Sequence, residues 1–491
     1  MSNLGKKFYI TTTLPYVNAD PHIGFALELI QADVIARFHR SRGEEVVFNT
    51  GTDEHGKKIY QRALEEGKDP QTYVDEYARK FQELVRLLGT SVTDFIRTTN
   101  PHHKSAAQTF WKRCMDKGDI YKKNYEVKYC VGCELEKTES ELENGRCSLH
   151  PNAELELIQE ENYFFRFSKY QQPLLDFYQD HPDFVAPDFR FNEIKKFVET
   201  GLQDFSISRL KEKMPWGVPV PNDPDQVMYV WFDALVNYIS TLGWPEDEQK
   251  FSAFWPGLQV AGKDNLRQQS AMWQAMLMSA DLPNSAQIFI HGFITVGGRK
   301  MSKSVGNVIS PFDLVQKYGV DPVRYYLLRE MPSGEDGDFS YEKFEERYNG
   351  DLANGIGNLV ARVATLGERV SPISFAFKTD IEKDVDAAAD RVFAEYTKEM
   401  ETFRLNEALA RVWELVSFAD KYINDKKPWA LRDNEELSRV IAHASYLVGS
   451  FANLVAPFLP ETAEKIRAQI AIGDGRITIK KGGNMFPRLE Q

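Results

Sequence analysis

Apolar and polar positions predict alternating strands and helices in the first part of the chain. KFYITTTLPY predicts a strand, the stretch 18–43 contains a predicted helix, and EEVVFNTGTDEHG predicts a second strand. Within 18–43, apolar residues return every three or four positions from Ile23 to Phe38, which is the spacing of one helical face. Pro21 suits the helix start and Gly43 suits its end. Strands that alternate with helices favour a parallel sheet.

The pattern changes twice further along the chain. Residues 118–226 are rich in short strand patterns, turns and charge, which predicts an insertion. Strand-and-helix patterns return in QVMYVWFDALVNYIS, GLQVAGKDN and QIFIHGFITVGGRKMSKSVGN. From about residue 345 the pattern is helical, with an apolar stripe from Leu352 to Leu366, and RITIKK predicts a short strand near the end. We therefore expect an α/β fold with an insertion, followed by an all-α region.

Composition narrows the class of protein. The chain has 491 residues, enough for roughly two to four domains. Its net charge of −12 argues against a surface coated with basic residues but allows a local basic face. The sequence contains neither a membrane-length apolar run nor a secretory signal at its N-terminus. Four cysteines are too few for a disulfide scaffold, so we expect a cytoplasmic, reducing environment.

A histidine marks the start of the first predicted helix. The exposed backbone N–H groups at a helix N-terminus attract anions, and His22 there can donate a hydrogen bond to a phosphate oxygen. The alternative is a His that caps the helix or packs locally. Phe25 follows one turn later on the same face.

A second candidate phosphate site is GGRKMSKS, residues 297–304. Gly297 and Gly298 let the backbone move and come close to a ligand. Lys300 and Lys303 suit a polyphosphate whose charge grows as a bond breaks. The alternative is a solvated basic loop.

Two carboxylates follow predicted strands. Asp264 lies at the end of the strand in GLQVAGKDN, where an acidic residue can accept hydrogen bonds from ribose hydroxyls. Asp53 lies at the end of the strand in EEVVFNTGTDEHG, where a carboxylate can hold an ammonium group. The alternative for both is an ordinary turn residue.

Three of the four cysteines cluster in the predicted insertion. Cys-x2-Cys, thirteen residues and Cys-x2-His match a tetrahedral zinc knuckle. The ligands would be Cys130, Cys133, Cys147 and His150. Four protein ligands leave no open position, so the metal should be structural rather than catalytic. Cys114 stands apart, and we expect it to be a small buried hydrophobic residue.

The helical region holds candidate nucleic-acid contacts. Trp429 lies among cationic residues in DKKPWALRD, where an exposed aromatic ring can stack on an unpaired base, although burial in a core is the alternative. Asn358 and Arg362 lie one turn apart beside the apolar stripe and can read base edges. Their alternative is a solvated helix margin.

These motifs together resemble the class I aminoacyl-tRNA synthetases, and within them the methionyl-tRNA synthetase family. PHIGF is similar to the HIGH signature of the class, and KMSKS is its second signature unchanged. The zinc knuckle, GTDEHG, WFDAL and KPW resemble the methionine-specific family. The resemblance follows nearly the whole chain in order.

The resemblance implies a Rossmann-type parallel sheet, split by a zinc-binding insertion and followed by an all-α helical-bundle anticodon-binding domain. The implied boundaries are 1–117 and 227–320 for the catalytic halves, 118–226 for the insertion, 321–350 for a linking segment and 351–491 for the helical domain with its short tail.

The resemblance also implies the reaction and its partners. Methionine and ATP with Mg²⁺ would give methionyl-adenylate and pyrophosphate, and the methionyl group would then pass to tRNA(Met). One structural zinc ion per chain is implied.

The implied site residues fall into groups by ligand. The catalytic residues would be His22, Lys300 and Lys303, and the residues that bind ATP would be His22, Gly24, Gly262, Asp264, Lys300, Ser302 and Lys303. Around methionine the resemblance places Leu14, Tyr16, Asp53, Trp231, Ala234, Tyr238, Gln269 and Trp273. The anticodon would meet Asn358, Arg362 and Trp429.

The sequence departs from the family pattern at two site positions. Phe25 stands where the signature has its second His, and Gln269 stands where a His is common in the methionine pocket. The chain ends at FPRLEQ, where many members continue into a dimerisation domain, so we expect a monomer.

Two alternatives remain at this point. The cysteinyl enzyme of the same class also carries zinc, but its ligands lie far apart in sequence. The other alternative is a zinc-containing nucleic-acid-binding protein with a disabled nucleotide site, which Phe25 favours.

Overall fold

The computed structural model describes residues 5–133, 135–137, 142–301, 306–376 and 380–489. They divide into two compact units. The first unit comprises Met1–Pro21, Arg42–Arg86 and Thr90–Ile290. The second comprises His22–Ser41, Leu87–Gly89 and His291–Gln491.

Twenty-one strands lie in the described residues. They are β1 (Lys7–Thr12), β2 (Glu45–Thr52), β3 (Asp94–Arg97), β4 (Ile120–Cys130), β5 (Leu135–Lys137), β6 (Leu142–Glu143), β7 (Arg146–Cys147), β8 (Glu156–Phe165), β9 (Val185–Ala186), β10 (Phe205–Ser206), β11 (Ser208–Leu210), β12 (Pro219–Val220), β13 (Asp223–Met228), β14 (Leu258–Gly262), β15 (Gln287–His291), β16 (Ile294–Val296), β17 (Arg299–Lys300), β18 (Gly337–Phe339), β19 (Ile373–Ser374), β20 (Ile470–Gly473) and β21 (Arg476–Ile479).

Eighteen α-helices accompany these strands in the same described residues. They are α1 (Ile23–Ser41), α2 (Lys57–Glu65), α3 (Pro70–Leu87), α4 (Pro101–Asp116), α5 (Gln171–Asp180), α6 (Asp188–Glu199), α7 (Val230–Ala234), α8 (Asn237–Ser240), α9 (Glu248–Phe254), α10 (Trp273–Ser279), α11 (Pro311–Tyr318), α12 (Val320–Glu330), α13 (Tyr341–Arg347), α14 (Asn358–Gly367), α15 (Lys383–Glu401), α16 (Leu405–Lys426), α17 (Asn434–Val455) and α18 (Pro460–Gln469). Wider, π-helical turns precede α10 and α14, at Gln268–Met272 and Tyr348–Gly357.

A six-stranded sheet in the order β3-β2-β1-β14-β15-β9 organises the first unit. β1 pairs in parallel with β2 and with β14, and β2 pairs in parallel with β3. The chain therefore builds outward from β1 in one direction and later returns to its other side, which is the doubly wound arrangement. Ligands of such sheets bind beyond the carboxyl ends of the strands, where the strand order reverses.

The segment 118–226 is more regular than the short strands expected from its sequence. β4 and β8 form a long antiparallel pair within a four-stranded sheet, and the segment also contains the helices α5 and α6. Its short strand β9 pairs in parallel with β15 at the edge of the six-stranded sheet. The sequence analysis did not predict these two helices, because turns and charged residues interrupt their apolar pattern.

Aromatic packing forms the interior of the first unit. Phe110 of α4 stacks on Trp273 at a centroid separation of 5.5 Å and forms edge-to-face pairs with Phe232 and Trp244. Cys114, on the same helix, is fully buried, as expected of a small hydrophobic residue. Large rings of this kind supply much of the apolar area that a core removes from water.

The second unit carries the first predicted helix. The expected apolar face of α1 is buried, and Gly43 takes a left-handed φ of 85° just after the helix ends. Asp33 of α1 forms a fully buried ion pair with Arg324 of α12, at 2.7 Å. Arg324 also donates to the carbonyl oxygens of Pro457 and Phe458. Because these acceptors satisfy the guanidinium, the pair joins α1, α12 and the segment between α17 and α18 without an unpaired buried charge.

The remainder of the second unit is mostly helical, as expected. The predicted strand near the chain end is β21, which pairs with β19 and β20. The apolar stripe begins in the π-helical turn and continues into α14, with Leu352, Ile356, Leu359 and Val363 all buried. Among the described residues, no helix is long and apolar enough to cross a bilayer.

Candidate functional site

His22 immediately precedes α1, as expected, and a backbone hydrogen bond fixes its tautomer. The N–H of Gly24 donates to His22 Nδ1 at 3.0 Å. A neutral imidazole whose Nδ1 accepts must carry its proton on Nε2. His22 is exposed, so Nε2–H is the donor that it offers to a ligand.

Gly24 is needed for this arrangement. A Cβ atom at position 24 would lie 2.9 Å from His22 Cε1 and 3.0 Å from its Nδ1. A larger residue would therefore push the imidazole away from the backbone N–H that orients it. The expectation that Gly24 itself binds ATP stays a prediction.

The pKa of His22 lies below its ordinary value. Part of the His22 side chain is exposed, but the protein packed around the imidazole desolvates it and lowers this pKa most, and the positive charge of Lys300 lowers it further. The imidazole is therefore neutral near pH 7 and acts as a hydrogen-bond donor rather than as a cation.

Phe25 differs from His22 in exposure. Its ring is buried within the first turn of α1, with 9 % exposed, and its backbone N–H donates to the His22 carbonyl. The sequence placed both side chains on one face, but the structure exposes only His22. A nucleotide-facing role of Phe25 stays a prediction.

The two glycines of the GGRKMSKS segment form a tight turn. β16 and β17 are an antiparallel hairpin in which Val296 pairs with Arg299, so Gly297 and Gly298 are its two loop residues. Their φ values are 60° and 70°, as a type I′ turn requires. The Gly298 N–H donates to the Asp338 carboxylate at 2.8 Å. The sequence interpretation stressed mobility, whereas the structure shows glycines that satisfy the backbone angles of a turn.

Lys300 ends this hairpin and is exposed. Its Nζ lies 5.3 Å from the centre of the Phe293 ring, a cation–π contact that leaves other faces of the ammonium group accessible. Ser302 and Lys303 lie outside the described residues, so their predicted contacts stay predictions.

Asp264 follows β14, as the sequence predicts. β14 ends at the buried Gly262, and Asp264 lies in the short 3₁₀ turn Lys263–Asn265 with its side chain exposed. The Asn265 side chain donates to its carboxylate at 3.2 Å. The position agrees with the ligand-binding edge of a parallel sheet. A ribose contact stays a prediction.

Asp53 and part of the expected methionine pocket lie together in the first unit. The segment after β1 pairs with the segment after β2 through a bridge between Tyr16 and Asp53. The ring of Tyr16 meets Trp231 of α7 edge-on, with centroids 6.2 Å apart. Asp53 is almost completely buried, Leu14 is half-buried, and Ala234 is buried on α7.

Gln269 connects the other expected pocket residues. Its amide nitrogen donates to the Tyr238 hydroxyl at 2.6 Å, and its amide oxygen accepts from Gln259 at 3.1 Å. Tyr238 meets Trp273 edge-on at 6.0 Å. A neutral, buried amide therefore stands at the position where the family commonly has an ionisable His.

Sequence neighbours of these pocket residues form a buried polar cluster that the sequence analysis did not predict. Asp233 of α7 contacts the imidazoles of His55 and His103. Burial alone would raise the pKa of the Asp233 carboxyl group, but the two imidazoles outweigh it and the net pKa is lowered. Asp233 lies within WFDAL and His55 within GTDEHG, so the signal was present in two of the motifs that carried the resemblance.

The three cysteines and the histidine of the predicted knuckle come together. The four potential ligand atoms of Cys130, Cys133, Cys147 and His150 all lie within 4.8 Å of one another. His150 Nδ1 lies 3.1 Å from Cys133 Sγ and 3.9 Å from Cys130 Sγ. Ligands at tetrahedral zinc distances would be roughly 3.5–3.8 Å apart, and the separations of 3.1 and 3.9 Å lie on either side of that range, so the donor set is compatible with a zinc ion.

Gly132 supports this fit. A Cβ atom at position 132 would lie 2.7 Å from two atoms of the His150 ring. The turn between the first two cysteines therefore leaves space for the imidazole. The structure supports a Cys₃His metal cluster.

The predicted anticodon contacts share an exposed part of the second unit. Trp429 is 51 % exposed, so its burial in a core, the alternative from sequence, is wrong. The guanidinium of Arg362 lies 5.5 Å from the Trp429 ring, and it is held by Asp420 and Asn424. Asn358, one turn before Arg362, is exposed.

Comparisons with known proteins agree with this arrangement. The family model described as tRNA synthetases class I (M) matches residues 8–140 and 132–364. The model described as the anticodon-binding domain of tRNA ligase matches residues 382–481.

Similar proteins cover nearly the whole chain. A methionine–tRNA ligase of Thermotoga maritima is 43 % identical over 95 % of this chain and 75 % of its own. One of Thermosynechococcus vestitus is 43 % identical over 98 % of this chain and 92 % of its own. The Mycobacterium tuberculosis methionyl-tRNA synthetase, solved in complex with methionyl-adenylate, is 36 % identical with a TM-score of 0.91, over 98 % of this chain and 100 % of that one.

The electrostatic link between Lys300 and His22 can be tested by titration. We expect the NMR titration midpoint of His22 to lie below 6.5 and to rise in Lys300→Ala, because removal of a nearby cation makes protonation easier. Arg299→Ala, which removes the adjacent cation, is the matched control. An unchanged midpoint in Lys300→Ala would contradict the electrostatic interaction.

Proposed function

Because the chain belongs to the methionyl-tRNA synthetases of class I, we propose that it ligates L-methionine to tRNA(Met) through a methionyl-adenylate intermediate. The observation that carries this proposal is the agreement along nearly the whole chain, from the HIGH-like start of α1 to the anticodon-binding region. The reaction consumes ATP and releases AMP and pyrophosphate.

In the first step, the methionine carboxylate attacks the α-phosphorus of ATP. A carboxylate oxygen–phosphorus bond forms, the α–β bridging bond breaks, and pyrophosphate leaves with its electron pair. The protein contributes by aligning the reactants and stabilising the growing charge. ATP enters as its Mg²⁺ complex, which offsets part of that charge.

Two groups of residues would act on ATP. His22 Nε2–H would donate to a phosphate oxygen, while Lys300 and Lys303 would stabilise the leaving pyrophosphate. Asp264 would hold the ribose. The exposed donor on His22 and the exposed Lys300 ammonium support these roles.

Asp53 would hold the methionine ammonium group. The thioether would lie among aromatic rings, including Tyr16, Trp231 and Trp273, which attract sulfur modestly at their edges. The edge-on packing of Tyr16 on Trp231 supports this assignment. In the second step, a hydroxyl of the terminal adenosine attacks the methionyl carbonyl, and AMP leaves.

The Cys₃His cluster would hold one structural zinc ion per chain. Its four protein ligands leave no coordination position for a substrate, so the metal would stabilise the fold of the insertion around β5 to β7.

The helical region would bind the anticodon of tRNA(Met). Trp429 would stack on a base, while Asn358 and Arg362 would read base edges. The half-exposed Trp429 ring and its guanidinium neighbour support this role. The domain boundaries, a monomeric state and a cytoplasmic location, all expected from the sequence, stay predictions.

Amino-acid-dependent exchange of pyrophosphate into ATP tests the proposed reaction. We expect exchange with methionine and none with cysteine. His22→Ala should slow adenylate formation by about 10² or more, because a donor to the developing charge is lost. Phe25→His should change the rate or the ATP KM by less than about tenfold.

One outcome would reverse the conclusion. If the wild-type protein made no adenylate with any amino acid and Phe25→His restored it, Phe25 would mark a disabled site. The protein would then be a nucleic-acid-binding protein rather than an enzyme.

Metal content tests the zinc assignment without an activity assay. We expect about one zinc ion per chain by elemental analysis, its loss in Cys133→Ser, and faster proteolysis within residues 118–226 of that variant. Cys114→Ala should retain the metal because Cys114 lies outside the cluster. Active protein purified without metal would contradict the assignment.

Steady-state charging tests the role of Trp429. Trp429→Ala should raise the tRNA KM by about 5- to 150-fold, since base stacking contributes about 1–3 kcal/mol, and should leave pyrophosphate exchange unchanged. Phe393→Ala removes another exposed ring, 60 % exposed, and should leave the tRNA KM unchanged. Equal loss in both assays with a lower Tm would show that Trp429 acts through the stability of the fold rather than through tRNA binding.

A further inference from the structure

A buried carboxylate lies beside the residues expected to bind methionine, and none of the roles above uses it. Asp233 of α7 is fully buried. One carboxylate oxygen lies 3.0 Å from His55 Nδ1, and the other lies 3.5 Å from His103 Nε2. His103 Nδ1 lies 3.0 Å from the Ser240 hydroxyl.

Chemistry fixes the direction of these hydrogen bonds. An ionised carboxylate only accepts, so His55 donates from Nδ1 and His103 donates from Nε2. The other ring nitrogen of His103, Nδ1, hydrogen-bonds the Ser240 hydroxyl. Each imidazole is thus held in one orientation by the same buried anion.

The hydrogen bonds of Asp233 continue through His55 to Asp53, the residue expected to bind the methionine ammonium group. The backbone N–H of His55 donates to Asp53 Oδ1 at 3.4 Å. The backbone of Asp53 in turn pairs with the segment that carries Tyr16, through hydrogen bonds to Pro15 and from Val17. The position of His55 therefore bears directly on the position of the Asp53 carboxylate.

Asp233 is also part of α7, the helix that contributes Trp231 and Ala234 to the expected methionine pocket. Asp233 lies between Trp231 and Ala234 in the short helix α7. A five-residue helix has little stability of its own, so its position depends on tertiary contacts such as the two imidazoles.

We infer that Asp233 is a positioning residue for methionine, which fixes the ammonium anchor Asp53 and the aromatic wall of α7 relative to each other. The inference rests on the proposed function. Asp233 is a positioning residue rather than a catalytic one, because its fully buried carboxylate acts on Asp53 through His55.

Replacement by asparagine removes the charge and preserves the size. The amide of Asp233→Asn offers one acceptor oxygen, and its NH₂ group faces the second imidazole N–H, so one imidazole must turn or change tautomer. We expect the Kd of methionine and its KM in exchange to rise about tenfold or more. The kcat at saturating methionine should fall less than threefold, and the ATP KM should not change.

Asp119→Asn is the matched control. Asp119 is also a fully buried carboxylate of the first unit, and its described side-chain partners are Lys169, Tyr170 and Ser279. This variant should lower the Tm and leave the methionine Kd unchanged. A second variant, His55→Ala, removes the imidazole by which Asp233 holds the backbone of residue 55, while His103 still contacts Asp233, and it should also raise the methionine Kd.

Calorimetric titration with methionine alone distinguishes a failure of the proposed function from a failure of the positioning role. Wild-type protein that binds no methionine would overturn the proposed function and, with it, this inference. Wild-type binding with an unchanged Kd in folded Asp233→Asn or His55→Ala would overturn only the positioning role. An equal rise in Asp119→Asn would also overturn it, because the effect would then follow from a general loss of stability.

Discussion

The parallel pairing of β1 with β14 is the constraint on which the first unit depends. It joins Ile10–Thr12 to Leu258–Val260, across almost 250 residues of chain. The strand order reverses between these two strands, which is where doubly wound sheets open a crevice at their carboxyl ends. Tyr16, Asp53 and Asp264 follow three strands that share this edge. The chemistry proposed for these residues therefore depends first on the strand order of the sheet, which brings them to one edge.

Glycines then determine the positions of individual side chains in the proposed sites. Gly24 allows its own N–H to reach His22 Nδ1, Gly132 leaves room for the His150 ring, and Gly297 with Gly298 turns the hairpin that carries Lys300. At the first two positions a Cβ atom would meet an imidazole at or below 3.0 Å. At Gly24 and Gly132 the missing Cβ atom thus leaves room for an imidazole, whereas Gly297 and Gly298 supply the positive φ values of a turn.

Much of the fold was predictable because its signals are local. Helical periodicity predicted α1, strand patterns predicted β1, β2 and β14, and cysteine spacing predicted the metal cluster. The contacts of Asp233, the Asp33–Arg324 ion pair and the edge strand β9 were not predictable, because their partners are distant in sequence. The exposure of Trp429 also depends on tertiary packing. The family resemblance supplied the pocket residues, which no periodicity indicates.

The proposed function requires this chain to make methionyl-adenylate and then to transfer its methionyl group to tRNA. The most direct test is mass spectrometry of the protein incubated with methionine, Mg-ATP and pyrophosphatase, before and after the addition of tRNA(Met). The account predicts about one bound methionyl-adenylate per chain, which disappears as methionyl-tRNA and AMP form in equal amounts. Protein that binds ATP and tRNA yet accumulates no adenylate with methionine would contradict it.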